Sequence, residues 1–139
     1  MIPPTTSTEE CQRIVVIDDH PLFRKGVHQL IAIEPGFTIV GEAGSGAAGL
    51  ELVRTLQPDL VLLDLNMAGM DGIATLKAIK ELDLPTRVIM LTVSNNDEDL
   101  VAALRAGADG YLLKDMEPED LLTSLRESSS GKLTLTPAL

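Results

Sequence analysis

The sequence predicts a three-layer α/β domain built on a parallel sheet. Two observations carry that expectation. Short, unbroken apolar runs rich in β-branched residues recur along the chain, and stripes of helical spacing lie between them. Runs with no polar alternation suit strands buried on both faces, as in parallel sheets. Strand–helix alternation in turn implies right-handed crossovers that place helices on both sides of the sheet.

The elements follow in order. Residues 1–12, MIPPTTSTEECQ, are polar and rich in Pro and Thr, and read as a flexible N-terminal tail. Ile14-Val15-Val16-Ile17 is the first apolar run. Pro21 then sits where a first helical residue would, and Phe23, Val27, Leu30 and Ile31 form an apolar stripe. Phe37-Thr38-Ile39-Val40 is a more amphipathic strand, followed by helical spacing at Leu50, Val53 and Leu56. Leu60-Val61-Leu62-Leu63 and Val88-Ile89-Met90-Leu91 are two further buried strands, with Ile73, Leu76 and Ile79 as the helix between them. Leu100, Val101 and Leu104 give the fourth helix and Tyr111-Leu112-Leu113 the fifth strand. Pro118 opens a last helix carrying Leu121, Leu122 and Leu125. After Ser128-Ser129-Ser130-Gly131 the pattern dissolves, although Leu133, Leu135 and Leu139 are apolar.

Composition narrows the function. A chain of 139 residues corresponds to roughly one domain. Its net charge of −10 repels a phosphate backbone, so the chain is expected to be a poor nucleic-acid binder by itself. Phe23, Phe37 and Tyr111 are its only aromatic residues, too few for a base-stacking platform. Cys11 is the single cysteine, which excludes an intrachain disulfide and paired-thiolate metal sites. No apolar run approaches the ~18 residues of a membrane span, and Met1 to Gln12 carry no secretion-signal pattern. The expectation is a cytoplasmic chain that does not engage a membrane.

The chemistry lies after the strands. Asp18 and Asp19 follow the first run, Asp64 the third, Thr92 the fourth and Lys114 the fifth. Ligands of open parallel sheets bind outside the carboxyl ends of the strands. The fold should therefore gather three carboxylates, a hydroxyl and an ammonium at one edge. Clustered carboxylates raise one another's pKa, and a divalent cation relieves the repulsion. Oxygen ligands without Cys or His favour Mg²⁺. A hard cation beside Lys114 and Thr92 is a phosphoryl-binding set, and an ionised aspartate attacks phosphorus without a general base. Taken singly, each residue has a plainer reading. Asp18-Asp19 could be a turn and helix-cap pair, Asp64 a loop aspartate, Thr92 a cap hydroxyl and Lys114 a solvated charge. Their coincidence at four strand ends favours a shared site.

These residues resemble the receiver domain of two-component response regulators. The resemblance is carried by Ile17-Asp18-Asp19-His20-Pro21, Leu62-Leu63-Asp64-Leu65-Asn66-Met67, Gly69-Met70-Asp71-Gly72, Leu91-Thr92-Val93-Ser94 and the run from Gly107 to Asp115. The Asp-Asp-His-Pro start and that last run are most similar to the NarL/LuxR subfamily, its nitrate/nitrite regulators above all. The resemblance implies a flavodoxin-like (βα)5 sandwich with a five-stranded parallel sheet over residues 13–130. It implies that Asp64 is the phosphoacceptor, fed by the phosphohistidine of a sensor histidine kinase. It further implies that Asp19 binds Mg²⁺ directly, Asp18 through water, and that Asp64 and the Asn66 backbone carbonyl complete the metal shell. Lys114 would pair with the phosphoryl group, and Thr92 and Tyr111 would form the switch pair, the ring following the hydroxyl inward. Self-association into a homodimer on phosphorylation also belongs to this resemblance. So does residues 131–139 beginning a linker into a helix-turn-helix DNA-binding domain that this chain does not contain.

Two departures from the family pattern stand out. Asp115 replaces a proline after the lysine, where a trans peptide or a strained exception is expected, because a non-proline cis bond costs ~3–4 kcal/mol. Ala68 replaces a proline in the loop after Asp64, leaving that loop freer. Three rival readings are weaker. Gly44-Ser45-Gly46-Ala47-Ala48-Gly49 fits a dinucleotide fingerprint, but it follows the second strand and leaves the strand-end residues unexplained. It reads instead as a glycine-rich turn capping the second helix. A Mg²⁺-dependent phosphatase or phosphotransferase with an aspartate nucleophile would usually place a second acid at position 20, where this chain has histidine. His20 itself reads as a turn or cap residue, and His28 as a surface residue. A non-phosphorylated pseudo-receiver, acting as an interaction module, generally loses an acid or the lysine, and all are present here. The chain is therefore expected to catalyse only its own phosphorylation and dephosphorylation.

Overall fold

The computed structural model describes residues 11–67, 71–93, 96–129 and 134–135. Strand and helix alternate throughout: β1 (Gln12–Ile17), α1 (Pro21–Ala32), β2 (Phe37–Ala43), α2 (Gly46–Leu56), β3 (Leu60–Asp64), α3 (Gly72–Glu81), β4 (Arg87–Thr92), α4 (Asp97–Arg105), β5 (Gly110–Leu113) and α5 (Pro118–Ser129). The five strands predicted from the sequence pair in parallel in the order β2-β1-β3-β4-β5. A short β6 (Thr134–Leu135) is added outside β5, opposite Gly110 and Tyr111. It covers part of the open edge that β5 would otherwise leave. Two residues of pairing are too few to leave a periodicity, so the sequence pattern did not announce this strand.

Residues 1–10 of the expected tail lie outside the described residues, and Gln12 already belongs to β1. Of the segment 131–139, only Thr134 and Leu135 are described. Ala68 also lies outside the described residues.

The unbroken apolar strands fill both faces of the sheet. Successive side chains of a strand point to opposite faces. Accordingly, Val15, Ile17, Val61, Leu63, Val88 and Met90 pack with Val53, Leu76, Ile79 and Ala103 of α2, α3 and α4. Ile14, Val16, Leu60, Leu62, Ile89 and Leu91 pack with Val27, Ile31, Leu121, Leu122 and Leu125 of α1 and α5. This is the three-layer arrangement expected. β3 is central and buried along its whole length, whereas the edge strand β2 keeps exposed positions, which explains its amphipathic sequence.

Side-chain caps start α2, α3 and α4. Ser45 accepts the Ala48 N–H at 3.2 Å, so the glycine-rich turn is the cap of α2. Asp71 accepts the Ala74 N–H at 2.8 Å at the start of α3, and Asn96 the Glu98 N–H at 2.7 Å at the start of α4. Among the described residues no helix is long and apolar enough to cross a membrane, and no peptide bond is cis.

Two glycines are required by close packing. A Cβ on Gly49 would lie 2.4 Å from Ile17 Cδ1, a side-chain atom with some freedom. A Cβ on Gly72 would lie 2.5 Å from both the Asp64 carbonyl oxygen and Leu65 Cα, which are backbone and cannot step aside. Overpacking costs roughly 1–3 kcal/mol, occasionally more. Gly72→Ala should therefore lower the unfolding free energy read from urea denaturation by at least that amount, and by more than Gly49→Ala. Adding Ile17→Val should recover part of the Gly49→Ala loss and none of the Gly72→Ala loss, as a double-mutant comparison would show.

Candidate functional site

The sheet register assembles the site. Ile17 pairs with Leu63, Asp64 with Leu91, and Thr92 with Leu113. Asp18, Asp64, Thr92 and Lys114 therefore end four neighbouring strands at one level. The ladder runs into the site itself: the Asp18 N–H donates to the Ala43 carbonyl at 3.0 Å and the Lys114 N–H to the Thr92 carbonyl at 2.7 Å. The crevice lies where β1 leads to β2 on one side and β3 continues to β4 on the other, the switch point of such a sheet.

The carboxylates are held by one cation. Lys114 Nζ lies 2.7 Å from Asp18 Oδ2 and 3.3 Å from Asp64 Oδ1. Asp18 is fully buried, Asp64 is 1% exposed and the Lys114 side chain 8% exposed. The ammonium also sits 4.4 Å from the centre of the Phe23 ring, a cation–π contact that steadies it from the α1 side. Burial pushes the Asp64 pKa up, and the Asp18 charge adds to the rise. The Asn66 N–H, which donates to Asp64 Oδ1 at 3.2 Å, and Lys114 oppose it. Asp64 Oδ2 is buried and makes no hydrogen bond.

His20 is the residue that sequence reasoning missed. It does occupy the cap position of α1, but its side chain makes no cap hydrogen bond. Instead Nδ1 lies 2.9 Å from Asp18 Oδ1, 3.2 Å from Asp19 Oδ1 and 3.5 Å from Asp64 Oδ2, with Lys114 Nζ 3.4 Å away. Asp18, Asp19, His20 and Asp64 each offer a ligand atom within 4.8 Å of the others. The available signal was the position itself, one residue beyond two strand-end acids. His28, by contrast, is on the surface beside Glu42, as expected.

The remaining candidates lie close by. Thr92 donates its hydroxyl to Asn66 Oδ1 at 3.1 Å. Asn66 follows β3, so its main chain and side chain meet Asp64 and Thr92 respectively. The Tyr111 ring is fully buried and already points inward. Its hydroxyl has no well-formed hydrogen bond. Burial raises the phenol pKa, the Asp99 charge raises it further, and the Thr92 side chain acts in the opposite direction.

The raised Asp64 pKa has a stability consequence. An acid whose folded pKa lies above its unfolded one favours the fold when protonated, and that contribution is lost as pH rises through the folded value. Ionised Asp64 thus costs stability at pH 7. Asp64→Asn should raise the melting temperature at pH 7, on the order of a few degrees for a domain of this size. The gain should shrink as pH falls towards about 4, where the unfolded aspartate also protonates. A differential melting series from pH 7 to pH 4 checks both statements.

Comparison with known proteins agrees with this geometry. Residues 14–126 match the response regulator receiver domain family. The nitrate/nitrite response regulator protein NarL of Escherichia coli strain K12 is 53% identical over 133 residues, which cover 96% of this chain and 62% of that protein. NarP of the same organism is 47% identical over 119 residues, covering 86% of this chain and 55% of that protein. This chain thus spans about three-fifths of the length of these relatives. The signal receiver domain of the response regulator NarL from Mycobacterium tuberculosis superposes with a TM-score of 0.85 at 40% identity, covering 88% of this chain and 99% of that one. With the strand order, the strand-end acids and the lysine in place, this chain belongs to the response regulator receiver domain family, in its NarL/LuxR branch.

Proposed function

We propose that Asp64 accepts a phosphoryl group from the phosphohistidine of a sensor histidine kinase and that the domain thereby controls an output domain. The observation that carries this reading is the Asp64 carboxylate: buried beside Lys114, with Oδ2 free of hydrogen bonds and its charge destabilised by burial. Such an oxygen is poorly solvated and available as a nucleophile. It would attack phosphorus while the P–N bond breaks, and the imidazole, protonated on its other nitrogen, would leave neutral. Lys114 would move its charge onto the phosphoryl oxygens, and Thr92 would exchange its bond to Asn66 for one to the same group.

The cluster also fits a divalent cation, because acids this close repel one another and Asp64 Oδ2 lacks a hydrogen bond. Asp18, Asp19, Asp64 and the Asn66 backbone carbonyl would hold Mg²⁺. When bound, the ion would offset the negative charge of the carboxylates and of the arriving phosphoryl group. The reading extends to a cytoplasmic location, homodimerisation on phosphorylation, and DNA contact through a helix-turn-helix domain joined by a linker. The net charge of −10 supports assigning DNA contact to such a separate domain. On this reading the domain turns over no substrate beyond its own phosphoryl group.

Acetyl phosphate with Mg²⁺ should add one phosphoryl mass per chain, read by intact-mass spectrometry. Asp64→Asn should abolish the addition, and an unchanged phosphorylated fraction would overturn the assignment. Asp19→Asn should remove most of the Mg²⁺-dependent rise in melting temperature.

The switch has its own test. Thr92→Ala should leave Asp64 phosphorylatable but reduce the response around Tyr111 and α4. Amide NMR shifts with and without beryllofluoride, a phosphoryl mimic, report it. Shifts equal to wild type at Tyr111 and residues 97–105 would sever the coupling.

A further inference from the structure

Arg24 stands outside the acidic cluster yet holds the backbone that carries two of its acids. We propose that Arg24 is a positioning residue for Mg²⁺: by binding the Asp18 carbonyl it sets the direction in which the Asp19 carboxylate is offered to the ion. The inference rests on the proposed function for Mg²⁺ binding at Asp18 and Asp19.

The sheet gives out where these two acids stand. The last paired residue of β1 is Ile17, opposite Ala43 on one side and Leu63 on the other. The Asp18 N–H still reaches the Ala43 carbonyl at 3.0 Å. Its carbonyl lies beyond both ladders and is taken by a side chain: Arg24 Nη1, from α1, donates to it at 2.5 Å. A peptide unit is planar, so a bond to the Asp18 oxygen fixes the plane that leads into Asp19. On the far side of Asp19, the His20 N–H donates to Asp18 Oδ1 at 2.8 Å. Asp19 is thus held through the backbone before and after it. Its side chain is 29% exposed, against 0% for Asp18 and 1% for Asp64, so packing does little to aim it. Of the three acids it depends most on where its backbone is held.

Two features outside the acids place the guanidinium. Glu42 of β2 faces it, with Oε1 3.8 Å from Nε. Gly44, just after β2, leaves it room: a Cβ there would stand 3.2 Å from Nη1, closer than an ordinary contact. Ser45 supplies the cap of α2, so capping does not account for a glycine at position 44. The planar fork of arginine meets an acceptor along each edge, Glu42 through Nε and the Asp18 carbonyl through Nη1, which a lysine cannot do. The Arg24–Glu42 pair is partly exposed and by itself contributes little to stability. Its effect is to aim Nη1 at the carbonyl.

The test reads Mg²⁺ affinity of the whole chain in two ways. One is the Kd that follows from the rise of melting temperature with Mg²⁺ concentration. The other is the Mg²⁺ concentration that half-saturates labelling by acetyl phosphate. Arg24→Ala should raise both by about tenfold, the low end of what removing a group behind a metal ligand costs. The labelling rate at saturating Mg²⁺ should stay within about threefold of wild type, because the ligands themselves remain. A purely structural role would lower the melting temperature without this split. Arg24→Lys, which keeps the charge and a donor, should recover part of the loss. Glu42→Gln should weaken Mg²⁺ by a smaller factor and add nothing in the Arg24→Ala background. If Arg24→Ala fails to fold by circular dichroism, Arg24→Lys and Glu42→Gln decide in its place. An unchanged Mg²⁺ Kd in the folded variants, or a loss confined to the saturating rate, would overturn the proposal. If the Mg²⁺ Kd depends on Arg24 while Asp64 takes no phosphoryl group, the phosphoacceptor reading fails and the positioning role stands. If Asp64 is labelled with a Mg²⁺ dependence that Arg24 does not alter, the reverse holds.

Discussion

The Lys114 ammonium between Asp18 and Asp64 is the contact on which the site depends. Two aspartates with almost no exposure face one another at the ends of adjacent strands, and neither has enough water around it to tolerate its charge alone. One lysine from the end of β5 reaches both, and Phe23 holds it from α1. Removing the lysine would leave both buried carboxylates uncompensated, a loss of about 3–5 kcal/mol, whereas the lysine that loses Asp64 keeps Asp18. The arrangement is nevertheless incomplete. A single positive charge cannot balance Asp18, Asp19 and Asp64, and burial first, with the Asp18 charge second, pushes the Asp64 pKa up. Under the proposed function, this residual negative charge would make the crevice receptive to a cation.

The parallel sheet is what makes that charge tolerable. Each site residue predicted from the sequence, from Asp18 to Lys114, sits at the end of an apolar strand or within two residues of it, so its backbone has little freedom to move away. Gly72 adds to this by letting the start of α3 lie against the Asp64 carbonyl. Rigid placement and electrostatic discomfort therefore share a cause: the strands that bury the core also deliver the acids to a common edge.

Much of this was legible in the sequence. Apolar runs without alternation, such as Leu60-Val61-Leu62-Leu63, imply two-sided burial, and the first polar residue after each run then marks an edge. Since parallel strands share that edge, Asp18, Asp64, Thr92 and Lys114 could be placed together before their distances were known. What could not be read depends on side-chain direction. A histidine at a helix start points to the helix as readily as to the acids before it, so His20, which does stand at the cap position of α1, gave no sign that its ring turns to Asp18. The Phe23–Lys114 contact joins residues far apart in sequence, and Phe23 already had an adequate role in the α1 stripe. The bond from Thr92 to Asn66 requires knowing how the chain turns after β3. β6 depends on an edge only the folded sheet offers, and its pairing spans two residues.

Tyr111 bears on how the two ends of the proposed switch would be linked. Burying its ring is favourable by about 1.5–3 kcal/mol, whereas burying a hydroxyl without a good partner costs about 1–3 kcal/mol. The two terms oppose each other. In the structure the ring is buried while the Thr92 hydroxyl is given to Asn66. The inward ring therefore does not require that hydroxyl to point at Asp64. The link between them is one of shared space and weak electrostatics rather than an obligatory bond. Under the proposed function, a phosphoryl group that draws Thr92 away from Asn66 would act on the space beside the Tyr111 ring rather than through a bond to it.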